Sequence, residues 1–320
     1  MVSEQSALVV FGAEEVRQRL TLQQALAPVR QAMVALSSDA VRQLLRSFIS
    51  LGPGQTFAIM PAALMDEQVF GAKLVSVMAQ ADGRKAHEGL VVLFDGKGAP
   101  VCVADAGEVT AIRTAAASAV ATDALALASA ATLAVLGTGR QAMAHIEAIA
   151  LVRSLREVVV WGREPRRTQD FAEAVTARTG LPARAAASAR AAVEGTSIVC
   201  TVTTAVDPIL NGAWLAPGAH VNVVGSSGPS AAEVDTALVL RSRFIVDHRE
   251  HVLVHGGEFV RARAEGAVGD DHIAAEIGAV LVGQVEGRQA PDQVTVYKSL
   301  GHAAQDLAVT AWLYRQHRNA

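Results

Sequence analysis

Cysteine is nearly absent from this chain, with two in 320 residues, Cys102 and Cys200. Both stand in apolar runs, Pro100-Val101-Cys102-Val103 and Ile198-Val199-Cys200. They read as small core residues in a reducing compartment rather than as a disulfide framework. Aromatic residues make up only 4%, and the formal net charge is −3. That balance offers no basic field to nucleic acid or to an anionic membrane. Glu4 precedes the first apolar run and no basic lead is present, so a secretory leader is not expected. The most membrane-like stretch, Thr114 to Gly137, carries Asp123, is built largely of Ala, Ser and Thr, and ends in glycine. It falls short of a spanning helix. The expectation is a cytoplasmic protein without nucleic-acid or membrane partners.

What the chain does have is length for two domains and 51% hydrophobic residues, many of them alanine. Its most informative stretch is Thr132 to Ile146, TLAVLGTGRQAMAHI. Leu133 to Leu136 form a β-run that enters Gly137-Thr138-Gly139-Arg140-Gln141-Ala142, and a helical segment follows. Gly137 permits the backbone angles of a tight turn, and Gly139 leaves room for a pyrophosphate. Ala142 lets the helix pack close to the strand, and the helix N-terminus faces the anion. A strand before the glycines and a helix after them turn a weak pattern into an expected dinucleotide site.

Around this motif the chain divides. A short β-run from Ala7 to Phe11 leads into helical patterning through Val16, Leu20, Leu26, Val29 and Met33. Pro53-Gly54 marks a turn. Strands are predicted at Thr56 to Met60, Ala72 to Met78, Leu90 to Phe94 and Pro100 to Ala104, with a hairpin turn at Asp95-Gly96-Lys97-Gly98. This predicts an N-terminal domain with an antiparallel or mixed sheet. Helix begins near Glu108. Six further strands are predicted, at Thr132 to Leu136, Glu157 to Trp161, Ala183 to Ala186, Ser197 to Val202, His220 to Gly225 and Arg243 to Asp247. With helices between them, they predict an α/β doubly wound parallel sheet. A β-run from Val294 to Tyr297 precedes a last helix through Ala304, Leu307, Ala308, Ala311 and Leu313.

The second strand of such a fold ends beside the adenosine ribose, where a carboxylate selects a 2′-hydroxyl and arginine accommodates a 2′-phosphate. Here the strand runs into Trp161-Gly162-Arg163-Glu164-Pro165-Arg166-Arg167. Arg163, with Arg167 one turn on, points to NADPH in preference to NADH, since guanidinium matches phosphate geometry. The alternative is a solvated basic helix start paired with Glu164.

Several segments together carry a resemblance. They are Ile59-Met60-Pro61-Ala62, Gly71-Ala72-Lys73-Leu74-Val75, Thr110 to Ala117, the glycine turn, Leu215 to Gly225 and Val296-Tyr297-Lys298-Ser299-Leu300-Gly301. Over nearly its whole length the chain resembles the ornithine cyclodeaminase/mu-crystallin family. The resemblance implies a Rossmann domain, residues 118–298, inserted into a discontinuous α+β substrate and dimerisation domain, residues 1–117 plus 299–320. It also implies a homodimer. The family's carboxylate clamp carries over to Arg46, Lys73 and Arg113, with Met60 beside the substrate. Three cations are what an amino-acid carboxylate needs for neutralisation and orientation. Lys73 and Arg113 sit in apolar or small-residue runs, where an unpaired charge is costly; Arg46 also reads as a surface helix residue. Cofactor contacts are expected from Gly137, Thr138, Gly139, Arg140, Gln141, Arg163, Arg167, Val202, Thr203, Val224, Gly225 and Lys298.

The chain departs from the cyclodeaminase pattern at two places. The catalytic aspartate position in the loop after the fifth strand is Ser227, and the glutamate that holds the side-chain amine is replaced by Ala58. A serine is no unassisted general base at neutral pH, and an alanine binds no ammonium. The resemblance therefore favours NAD(P)H-dependent reduction of small cyclic 2-imino acids, such as pyrroline-2-carboxylate or piperideine-2-carboxylate. Ornithine cyclodeaminase, an alanine-type dehydrogenase and a redox-silent NADPH-binding protein stand as alternatives. His87, matching a family histidine near the pocket, is a candidate to orient or relay the imine proton, or else a hydrogen-bonded strand-end residue. Ser227 is a candidate hydrogen-bonding group, or else a loop cap. His248, His251 and His255 have helical spacing, but the order is not that of a zinc motif, so they read as a solvated helix face and no metal is expected. Asp270-Asp271-His272 reads as a helix start.

Overall fold

The structure, a computed structural model, describes residues 8–38, 40–79 and 85–319. Along the chain come β1 (Val9–Phe11), α1 (Ala13–Arg19), α2 (Leu22–Ser37), β2 (Val41–Gln43), β3 (Ser47–Gly52), β4 (Gln55–Leu64), β5 (Val69–Ala79), β6 (Lys85–Asp95), β7 (Pro100–Asp105) and α3 (Ala106–Leu125). Then follow β8 (Thr132–Leu136), α4 (Arg140–Ala150), β9 (Glu157–Trp161), α5 (Pro165–Thr179), β10 (Ala183–Ala185), α6 (Ala189–Val193), β11 (Ile198–Thr201) and β12 (His220–Val223). The chain continues through α7 (Thr236–Arg241), β13 (Arg243–Val246), α8 (Arg249–His255), α9 (Gly257–Ala264), β14 (Ile273–Glu276), α10 (Ile277–Leu281), β15 (Thr295–Lys298) and α11 (Ala303–Arg318). Two compact units result: residues 1–113 with 302–320, and residues 114–301.

The first unit is built on a sheet in the order β1-β7-β6-β5-β4-β2, with β3 paired to β4. Only β1 runs parallel to its neighbour; the other pairings among the described residues are antiparallel. The hairpin turn after β6 closes through Asp95, whose Oδ1 accepts from the backbone N–H of Lys97 and Ala99. Helix α11 is buried from Ala303 to Ala311 and packs against α2 and strands β4 to β6. The helical patterning before Ala40 is two helices rather than one. Thr21 interrupts it by capping α2 reciprocally with Gln24.

The second unit holds a fully parallel sheet in the order β10-β9-β8-β11-β12-β15-β13-β14. Strand order reverses between β8 and β11, the switch point at which open α/β sheets bind ligands. Leu133 to Leu136 are all buried, as a strand covered on both faces requires. The α/β Rossmann architecture and the separate, largely antiparallel domain are both present.

Three local expectations are corrected. Asp270–His272 is a single 3-10 turn that leads into strand β14, because Ile273 and Ala275 alternate inward and pair along β13. Strands β2 and β3 were not expected; they carry no inward apolar alternation, and β3 is almost wholly exposed. The α8 histidines do not form a solvated face either. His251 is buried, His248 and His255 are half-buried, and the exposed residues are Glu250 and Val254. Among the described residues no group of three His, Cys, Asp or Glu could hold a metal ion.

Candidate active site

In the second unit, the C-terminal end of β8 opens a cleft of about 430 Å³ at the switch point. Gly137 turns there with φ of +133°, its N–H donating to the Trp161 carbonyl at 2.8 Å. A Cβ on Gly137 would stand 2.9 Å from the Val202 carbonyl oxygen, so only glycine fits. Gly139 is glycine for another reason. It caps α4 with ordinary extended angles, φ −99° and ψ −172°, and a Cβ built on it meets nothing within 4 Å. No protein packing demands glycine at that point, and the space before the helix N-terminus is left open. Ala142, fully buried, lets α4 lie close to β8. His145 donates from Nδ1 to the Gln141 carbonyl at 2.7 Å and accepts at Nε2 from Ser118 at 2.9 Å. Burial pushes this imidazole down to about 4, so it stays neutral and ties the first turn of α4 to α3.

Of the expected cofactor residues, the cleft brings together Gly137, Thr138, Gly139, Arg163, Arg167, Val202 and Thr203. Arg163 and Arg167 are exposed on the rim, with Glu164 between them. Arg140 and Gln141 open α4 outside the cleft wall, and Val224 and Gly225 lie beyond the end of β12. The glycine turn, the helix N-terminus and the guanidinium rim fit a dinucleotide.

Lys298 is placed differently. It is fully buried, and its ammonium donates to the carbonyl and hydroxyl oxygens of Ser226, each at 2.7 Å, with Glu258 at 2.8 Å. Glu258 also accepts from the Ser226 hydroxyl and from the Glu233 N–H at 3.0 Å. Burial alone would push the Glu258 carboxyl up, but the Lys298 charge and these hydrogen bonds hold it below its usual range. Glu233 in turn accepts from the Thr201 hydroxyl at 2.8 Å, the Thr203 N–H and hydroxyl at 2.7 Å and the Gly225 N–H at 2.6 Å. Burial raises its pKa against those hydrogen bonds. One carboxylate therefore fixes the exits of β11 and β12, and the ion pair behind it fixes Ser226. Ser227, the next residue, is exposed. Neither glutamate was singled out in the sequence, where Ala232-Glu233-Val234 and Gly257-Glu258-Phe259 match no motif.

The first unit gathers the residues expected to clamp a carboxylate. Strand β5 presents Lys73, directly across β4 from half-buried Met60. Helix α3 presents Thr110 and Arg113 on one face, three residues apart. Lys73 and Arg113 are each 5% exposed, and both reach the same oxygen, Oδ1 of Asp306, at 3.3 and 3.0 Å. Lys73 also donates to the Thr110 hydroxyl, and Arg113 Nη1 to Gln305 Oε1 at 3.1 Å. Half-buried Arg46 lies between β2 and β3, not on a helix, and its charge is felt at Lys73. Burial pushes the Lys73 ammonium down to about 8; Asp306 opposes the shift, and Arg113 and Arg46 add to it. The three expected cations thus share one electrostatic neighbourhood. Asp306 and Gln305 were missed because they lie in α11, more than 190 residues along the chain from Arg113. His87 stands opposite Val77 in the β5–β6 pairing, and its side chain lies outside the described residues. Ala58 is buried in β4.

Comparison with known proteins places these two sites in context. The model of the ornithine cyclodeaminase/mu-crystallin family matches residues 7–320. A Delta(1)-pyrroline-2-carboxylate reductase of Bacillus cereus is 31% identical over 314 residues, covering 97% of this chain and 96% of that protein. The ketimine reductase mu-crystallin of Mus musculus is 34% identical over 312 residues, covering 95% and 96%. The solved structure of Thermococcus litoralis Delta(1)-pyrroline-2-carboxylate reductase, in complex with NADH and L-proline, superposes with a TM-score of 0.93 at 28% identity, covering 98% of each chain. The chain belongs to the ornithine cyclodeaminase/mu-crystallin family.

Proposed function

We propose that this chain reduces small cyclic 2-imino acids, such as pyrroline-2-carboxylate or piperideine-2-carboxylate, to the corresponding L-amino acids, using NADPH in preference to NADH. The observation that carries the reading is the pair of buried cations, Lys73 and Arg113, each with hydrogen-bonding capacity beyond its protein partners. Relatives named as pyrroline-2-carboxylate and ketimine reductases, and a structural neighbour solved with NADH and L-proline, support it.

In this mechanism Arg46, Lys73 and Arg113 bind the substrate carboxylate, and Met60 supplies an apolar wall beside it. A reduced nicotinamide, when bound in the cleft at the end of β8, would supply the hydride that the imine carbon accepts. Protonation of the imine nitrogen makes that carbon the better acceptor, and Ser227 and His87 are the groups assigned to hold or relay the proton. Gly137 to Gln141 take the pyrophosphate, and Arg163 with Arg167 the 2′-phosphate. Val202, Thr203, Val224 and Gly225 line the cofactor, and Lys298 serves the same site by holding Ser226.

The working form is a cytoplasmic homodimer. Ile49 and Leu51 on β3, Phe70 on β5 and Leu90 on β6 are between 40% and 52% exposed, a concentration of apolar surface that a second copy would cover. No helix among the described residues is long and apolar enough to cross a membrane.

A panel of imino acids tested with NADPH and NADH in parallel decides the function. Consumption of NADPH with either cyclic substrate is the expected result. Ammonia release from ornithine without net cofactor turnover would instead establish a cyclodeaminase, a reading that exposed Ser227 and buried Ala58 disfavour. Ammonia-dependent reduction of pyruvate would mark an alanine-type dehydrogenase, and cofactor binding without any turnover a binding protein.

A further inference from the structure

The two buried cations of the clamp come from different elements and would repel one another and turn toward water if nothing lay between them. What lies between them is one carboxylate oxygen. Asp306 is fully buried on α11, and its Oδ1 takes both Arg113 Nε and Lys73 Nζ. Its other oxygen accepts no hydrogen bond from any described residue, so the carboxylate is held by the two cations alone.

The pattern of donors left over is informative. Lys73 has three N–H donors and uses two, on Thr110 and Asp306. Arg113 is fixed at two nitrogens, Nε on Asp306 and Nη1 on Gln305, and its Nη2 makes no hydrogen bond among the described residues. One donor remains on the lysine and one nitrogen on the arginine, which suits the two oxygens of a single carboxylate. Resting on the imino-acid reading above, we propose that Asp306 is the positioning residue of the clamp: it aims Lys73 and Arg113 so that their spare donors converge on the substrate carboxylate, and it keeps Lys73 charged.

The sign of the second effect follows from the groups around Lys73. Asp306 faces it from α11, Arg113 and Thr110 from α3, and Arg46 from the segment before β3. Its opposite numbers on β4 and β6, Met60 and Val91, are apolar. His302, at the start of α11, is turned to Gln43. Among the described residues Asp306 is therefore the one anion acting on Lys73, and it raises the pKa that burial, Arg113 and Arg46 lower. The ammonium is lost as pH rises through about 8, and without Asp306 it is lost at lower pH.

The chain has four lysines, Lys73, Lys85, Lys97 and Lys298, so the side-chain signals of lysine labelled with 13C at Cε can be titrated one by one, with Lys73→Arg assigning its own. In Asp306→Asn the Lys73 midpoint should fall by about a unit, a tenfold change in protonation equilibrium. The KM for the imino acid should rise at least tenfold, while cofactor affinity, read by fluorescence quenching, stays at the parental value. A Lys73 midpoint unchanged in Asp306→Asn, or an unchanged KM, overturns the proposal. Asp306→Glu keeps the charge but displaces it, and should leave the midpoint in place while raising KM. If Asp306→Asn does not fold, a parental KM in Asp306→Glu overturns it. A parent protein that turns over no imino acid refutes the reductase reading instead, and the lysine titration still decides whether Asp306 governs Lys73.

Discussion

Arg163 and Asp306 show how unevenly single residues can be read. Arg163 was conspicuous because a cation stood where the fold ordinarily places a carboxylate, two residues after the apolar run Val158 to Trp161. Replacing it with alanine should raise the KM for NADPH at least tenfold and leave that for NADH nearly unchanged, since a charge-assisted hydrogen bond contributes roughly 1.5–3 kcal/mol. Steady-state kinetics with both cofactors check this; an equal loss for both would remove the 2′-phosphate from the argument. Lys73 and Arg113 were legible on the same principle, as charges in apolar surroundings that must have a purpose. Asp306 was not. It sits within Ala303-Ala304-Gln305-Asp306-Leu307-Ala308, where an acid near a helix start is ordinary, and its partners are 233 and 193 residues away.

At the scale of elements, the glycine turn makes a paired prediction. Gly137→Ala places a Cβ against the Val202 carbonyl at a left-handed φ, and should destabilise the protein by at least about 1 kcal/mol. Gly139→Ala meets no protein atom and should leave thermal stability nearly unchanged while weakening dinucleotide binding. A Gly139→Ala protein that binds cofactor normally would show that no phosphate approaches there. The Ser226 loop is held by a different device. Lys298→Met strands the Glu258 charge in the interior and should cost about 3–5 kcal/mol, whereas Lys298→Met combined with Glu258→Leu should recover much of it. Urea unfolding of the two variants measures the difference. Strands β8 and β9 were readable end to end because both faces of a parallel sheet demand apolar residues. Strands β2, β3 and β14 were not, because edge and exposed strands place no such demand on composition.

For the whole molecule, the exposed apolar side chains of the first unit predict assembly. Light scattering should give twice the chain mass, and Ile49→Asp, at a site already 52% exposed, should yield monomers with little loss of fold. A parent protein that is monomeric at micromolar concentration would refute the dimer. The charge balance of −3 and the buried, unpaired Cys102 and Cys200 fit together here: the chain is held by packing and buried polar networks rather than by cross-links.

The amino-acid order alone determined the local periods: continuous apolar runs became central strands, and the glycine pattern marked the turn after β8, whereas the expected clamp residues were named through the family resemblance. These signals are local, because each depends on a few neighbouring residues and on the cost of placing them wrongly. Only the tertiary structure decided which distant groups satisfy the buried charges. Asp306 for Lys73 and Arg113, Glu258 for Lys298, and Glu233 for the exits of β11 and β12 are matched by three-dimensional proximity. A buried charge must find a partner somewhere, but the chain's order does not say where, because folding brings together residues that sequence separation keeps apart.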